Sequence, residues 1–177
     1  MSPLPSWHPL VVHFPIALVV VATALLLAAR LVRSESLAAT AAVVGTWNLC
    51  LGAVAAVLAL ATGLGAVLDL DVSAAVHQAI SLHMKWAMLT TLLLVLLAVW
   101  RGAGTASGSR PSWIFIGVLL AASAALVFTG YRGGKNVYEY GVGVKKIAVR
   151  SLAAPHGDQQ LRIAYCAGMA PVKYAIT

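Results

Sequence analysis

Five histidines give this 177-residue chain its widest chemical reach, and four of them fall in two short stretches: His8 with His13, and His77 with His83. Imidazole serves as base, hydrogen-bond partner or metal ligand, and the bond made by one ring nitrogen decides what the other can do. Both stretches open a long apolar run that ends in arginine. His13 stands 17 residues before Arg30, and His83 stands 18 before Arg101. At helical rise the two lie at nearly one depth, about 25–27 Å from the arginines. His8 and His77 stand 22 and 24 residues before the same arginines, so they match each other one to two turns farther out. Paired imidazoles at matched depths on two parallel helices meet the requirement for bis-histidine ligation of haem b, with one neutral nitrogen on each face of the macrocycle. This reading pairs His13 with His83 for a deeper haem, and His8 with His77 for an outer one.

Plainer roles compete. A histidine at a helix end is commonly interfacial or a cap, and His8, followed by Pro9, and His77 fit that role equally well. His13 and His83 lie deeper, where an unpaired imidazole needs a partner. Zinc or copper could take the same residues, but no carboxylate or thiolate lies at their depth to complete a tetrahedral site. Angle sets a further limit. Positions five apart differ by about 140° around a helix and positions six apart by about 120°, so the two histidines on one helix cannot point into one gap. One haem satisfies the count, and so do two on different sides of the helix pair.

Other polar residues near the histidines are Lys85, two residues past His83, and Arg132 with Lys135 at the same end. An ammonium at that depth snorkels to the headgroups or pairs, and a haem propionate is a fitting partner. Met84 and Met88 read as core residues, with Met84 a reserve ligand. Small residues recur at Gly45, Gly52, Ala59 and Ala66, with Gly63 and Gly65 beside them. Such a stripe lets helices approach closely, and it could equally form the flat wall a porphyrin needs, with Gly52 and Gly63 as the wall residues.

The elements that must hold these residues follow from composition. Apolar residues make up 61% and charged residues 10%, against roughly 45–50% and 25% in soluble domains. Mean hydropathy is +0.91. These values exclude a disordered chain, a disulfide scaffold and an ordinary water-soluble enzyme. The expected fold is all-α, a transmembrane four-helix bundle over residues 1–131, with spans at about 9–29, 40–68, 73–100 and 112–131. Each run is long enough for a bilayer core of about 30 Å. The first lacks the basic n-region of a signal peptide and reads as a retained span. The second is charge-free from Ser36 to Leu68, longer than needed, and so tilts or has an interfacial lead-in. Residues 132–177 read as an irregular extramembrane tail.

The short loops at one end carry Arg30, Arg33, Arg101 and Arg110 against Glu35, and the loop at the other end carries Asp69 and Asp71. The positive-inside rule makes the arginine end cytoplasmic and puts both termini on the outer, periplasmic side. The net charge of +7 is therefore a matter of topology and lipid headgroups, with no nucleic acid implied. Cys50 sits inside an apolar run and Cys166 in the tail, and neither forms a haem-attachment or zinc motif. The glycine-rich stretch from Gly130 to Asn136 lacks phosphate-loop spacing. The five acids offer no buried catalytic pair.

Three segments carry a resemblance: His8 to Leu18 (HPLVVHFPIAL), Ala61-Thr62-Gly63 to Asp69 with His77 and His83 beyond, and Gly130 to Val144 (GYRGGKNVYEYGVGV). In this order, over about residues 7 to 146, the chain resembles the bacterial DUF2231 family of predicted membrane proteins. The resemblance implies four spans with outward-side histidines, and a haem-b role has been suspected for such chains. Family members often read Y-x-H-G-V-G-V near the C-terminus; Tyr140 stands here in place of that histidine.

The expected function is a haem-b electron-transfer subunit of the bacterial inner membrane. It would carry electrons near the periplasmic face between a quinone or membrane dehydrogenase and a periplasmic cytochrome c, and would not be an enzyme by itself. The competing class is a cofactor-free structural or assembly subunit. A third, a metal transporter or sensor, would need polar residues through both membrane halves, and the arginine-side half has almost none.

Overall fold

Residues 7–67, 73–103 and 108–142 are described by a computed structural model of the chain. Its helices are α1 (His8–Val11), α2 (His13–Leu31), α3 (Glu35–Val67), α4 (Ala74–Ala103) and α5 (Trp113–Tyr138). The first two form one span, so four spans are long and apolar enough to cross a membrane. No strand occurs among the described residues. Neighbours in sequence pack together and the last span closes onto the first, so spans one and three, like spans two and four, face each other diagonally.

One period organises the packing. In α3, Ala38, Ala42, Gly45, Leu49, Gly52, Ala56, Ala59 and Gly63 are all buried, at steps alternating between four and three residues. That is the 3.5-residue repeat of a left-handed helical seam. Span one keeps the same steps at Pro15, Val19, Ala22, Leu26 and Ala29. The two seams run antiparallel in fixed register. A Cβ on Gly45 would come within 2.8 Å of Leu26, and one on Gly52 within 2.9 Å of Val19. Seven residues forward on span two is thus seven back on span one. Glycine is required at both places because the facing side chains already fill the gap.

Outside the seams the helices are just as apolar. Trp47, Val127 and Ile114 stay exposed, as lipid-facing residues do. Hydroxyls stitch the interior: Thr23 to Ser123 at 2.8 Å joins spans one and four, and Thr90 to Thr129 at 3.1 Å joins spans three and four.

Two boundaries differ from the sequence reading. α3 starts at Glu35, and its 33 residues span about 50 Å, well beyond a bilayer core. α5 continues past Tyr131 to Tyr138, so Arg132, Gly133 and Lys135 are helical rather than part of an irregular tail. Asn136 is buried, seven residues past buried Thr129, and a Lys135–Glu139 ion pair at 3.3 Å supports the last turn. Met1–Tyr140 forms one unit. Of the second, Gly141 and Val142 are described, with Gly141 in the left-handed region that favours glycine (φ 64°). Asp69, Asp71, Cys166 and the rest of the tail lie outside the described residues.

Candidate functional site

The seams decide which histidines turn inward. Counting back in sevens from Ala29 through Ala22 and Pro15 reaches His8, and counting back from Leu97 through Thr90 reaches His83. His8 and His83 are both partly buried, whereas His13 and His77 are exposed. The depth-matched pairs, His13 with His83 and His8 with His77, are not brought together. The bundle instead places His8 and His83 on diagonal spans within electrostatic reach of each other and of Arg132.

Each inward imidazole lies on a glycine of the next span. A Cβ on Gly63 would come 2.9 Å from His8 Cε1, and one on Gly133 would come 3.1 Å from His83 Cε1. Gly63 continues the antiparallel register of spans one and two: it is eleven residues beyond Gly52, and His8 is eleven before Val19. The two hairpins of the bundle thus repeat one device, a histidine on the first helix seated over a glycine on the second.

Their hydrogen bonding differs. His8 Nδ1 lies 3.0 Å from the Ala59 carbonyl and 3.3 Å from Thr62 Oγ1. A carbonyl only accepts, so that nitrogen carries the proton in the neutral ring and Nε2 keeps its lone pair. This is how metal-ligating histidines are commonly oriented. The His83 ring approaches the Thr129 backbone, yet its buried Nδ1 makes no hydrogen bond. A buried polar atom without a partner is costly.

The remaining candidates separate cleanly. His13 donates from Nδ1 to the Pro9 carbonyl at 2.7 Å, bridging the break between α1 and α2. Pro15 explains that break: it has no N–H for the Val11 carbonyl. Lys85 is exposed. Arg132 is partly buried, with its guanidinium 5.6 Å from the Phe128 ring centre. Gly52 faces Val19 and Leu18, which puts it in the helix contact and away from both histidines. Ala66 is exposed, and the small-residue face that reaches a histidine ends at Gly63.

Among the described residues no three His, Cys, Asp or Glu side chains come together to hold a metal ion. A zinc or copper centre built from protein ligands alone needs at least that many. Haem iron draws its equatorial ligands from the porphyrin and asks the protein for two at most. The donor set here, one oriented imidazole and one with an orphaned nitrogen, fits that demand.

A family model described as predicted membrane protein (DUF2231) matches residues 4–146. The chain belongs to the DUF2231 family. All four spans and both His-on-Gly contacts lie inside the matched region. No curated protein and no solved structure matches the chain.

Proposed function

We propose that this DUF2231 protein is a haem-b electron-transfer subunit of a bacterial inner-membrane complex, in which His8 and His83 would hold the haem. What carries the reading is the orphaned His83 Nδ1 on a seam diagonal to His8. Histidines that served only as caps would have their nitrogens spent, as His13 does. When bound, haem b supplies a one-electron carrier. The chain's own residues do the rest. His8 is held in one tautomer by the Ala59 carbonyl, Gly63 and Gly133 leave room for the rings, and Arg132 offers a cation beside the pair. Removing His8 or His83 breaks the site, whereas His13 and His77 are dispensable in a one-haem protein. The donor is a quinol or a membrane dehydrogenase, and the acceptor a periplasmic cytochrome c. By the positive-inside rule the histidine end faces the periplasm.

The test is a reduced-minus-oxidised visible spectrum of the purified protein with a haem count per chain. A b-type spectrum at one haem per chain, lost in His8→Ala and in His83→Ala, supports the reading. Two haems per chain would bring His13 and His77 back as ligands. A colourless protein favours the second reading, a structural or assembly subunit in which His8 is simply the clasp that fastens α1 to α3 through Ala59 and Thr62.

A further inference from the structure

The opposite end of the bundle carries a different chemistry. Arg30, Arg33, Arg101 and Arg110 gather there with one acid, Glu35. Three of the four guanidiniums are engaged within the chain. Arg110 pairs with Glu35 at 3.0 Å and reaches the carbonyls of Arg30 and Arg33 at 3.4 Å. Arg101 donates to Thr46 Oγ1 at 3.2 Å and to the Ser109 carbonyl. Arg30 lies 5.0 Å from the Trp113 ring centre. Arg33 is exposed, and its side chain meets no acid among the described residues. The end keeps an excess of three positive charges, four arginines less one glutamate.

Farther along span two from these charges, Ala39, Thr40, Val43 and Val44 line a shallow, outward-open cleft of about 310 Å³ on the helix surface. Gly108, in the connection between spans three and four, borders it; a Cβ there would come 3.6 Å from Val43. The cleft is apolar, opens outward, and starts about one turn beyond Glu35. Its Thr40 hydroxyl is already bonded to the Ser36 carbonyl at 2.9 Å, so it offers no strong polar demand. Arg110 joins the Arg33 carbonyl to Glu35 and so holds the Arg33 turn against the start of the same helix.

We infer that this end is a binding site for one anionic diacyl phospholipid. Its phosphate would be held by Arg33 beside Arg110, and one acyl chain would lie in the Ala39–Val44 cleft. Charge selects the headgroup, since a cation near the surface favours anionic over zwitterionic lipid, and the small side chains leave room for methylenes. The site is separate from the histidines and does not depend on what they bind.

The protein purified in mild detergent would be offered phosphatidylglycerol or phosphatidylcholine with the same acyl chains, with retained lipid read by native mass spectrometry and the melting temperature alongside. Phosphatidylglycerol should be retained at one copy and raise the melting temperature, and phosphatidylcholine should do neither. Arg33→Gln should weaken phosphatidylglycerol retention about fivefold and leave the lipid-free melting temperature unchanged. Val43→Phe should fill the cleft and lower retention with the charge untouched. Lys85→Gln, at the histidine end, should change nothing. Equal retention of the two lipids, full retention in Arg33→Gln, or an equal loss in Lys85→Gln would overturn the assignment.

Discussion

Among the described residues each end of the bundle buries one side-chain nitrogen without a hydrogen bond, Arg30 Nε at one and His83 Nδ1 at the other. Arg30 is compensated: its cation lies over the face of Trp113, and its own carbonyl receives Arg110. That contact supplies attraction even without a hydrogen bond. Among the described residues His83 Nδ1 has no aromatic face beside it, and the ring's polar neighbours there are His8, Arg132 and the Thr129 backbone. Its ring rests on Gly133, a residue with no side chain to offer. The difference separates polar groups used to fasten the chain from a polar group left unspent. At the arginine end, side chains tie the Ser109–Arg110 connection to spans one, two and three. At the histidine end, Gly63 and Gly133 admit the two imidazole rings, and His83 Nδ1 is left without a hydrogen bond.

The comparison breaks most sharply at the histidines. Replacing His8 or His83 by alanine should abolish the b-type spectrum, while His13→Ala and His77→Ala should keep it. Retention of colour in His83→Ala would refute the assignment of this end. The next largest effect separates glycines that seat a ring from glycines that seat a core residue. Gly63→Ala should displace His8, whose Cε1 lies within 2.9 Å of the new methyl, and should reduce haem occupancy severalfold. Gly45→Ala meets Leu26 at 2.8 Å and should cost about 1–3 kcal/mol of stability through overpacking with the spectrum unaltered. Thermal unfolding and absorbance on the same samples distinguish the two.

Smaller effects belong to the fastenings. Thr90→Val removes the hydroxyl bond to Thr129 and should destabilise by about 0.6 kcal/mol, the usual scale for such bonds between membrane helices. Glu35→Gln should move stability least, within about 1 kcal/mol, because the Glu35 side chain is 87% exposed. A large loss there would show that the arginine end depends on its ion pair more than on the carbonyl contacts of Arg110.

Much of this was legible in the residues. The four apolar runs, charged only at Lys85 in the third, the charged residues that close them and the small-residue spacing at Gly45, Gly52 and Ala59 all follow from composition and period. So did the conclusion that two histidines on one helix cannot share a gap. The choice between them was harder. Matching depths from Arg30 and Arg101 paired His13 with His83, because depth along a helix carries no information about face. A signal for face was available: His8 is seven residues before Pro15 and His83 seven before Thr90, each in step with its seam. It was masked because lipid-facing and core-facing positions are equally apolar, so hydrophobicity marks no inner side. The end of the fourth span was missed for a related reason. Arg132 closes the apolar run after Tyr131, but the helix itself continues to Tyr138, and Gly133 is the residue that lets His83 sit against it.

Composition and charge placement fix how many helices are long and apolar enough to cross the membrane and at which end the histidines and arginines gather, because burying backbone in lipid requires long apolar helices and charge must stay at their ends. That His8 and His83 turn inward while His13 and His77 turn out is a matter of how the spans pack. In a membrane, where every face of a helix is apolar, the inner face is chosen by close packing. It falls where Gly45, Gly52, Gly63 and Gly133 let a facing side chain come near.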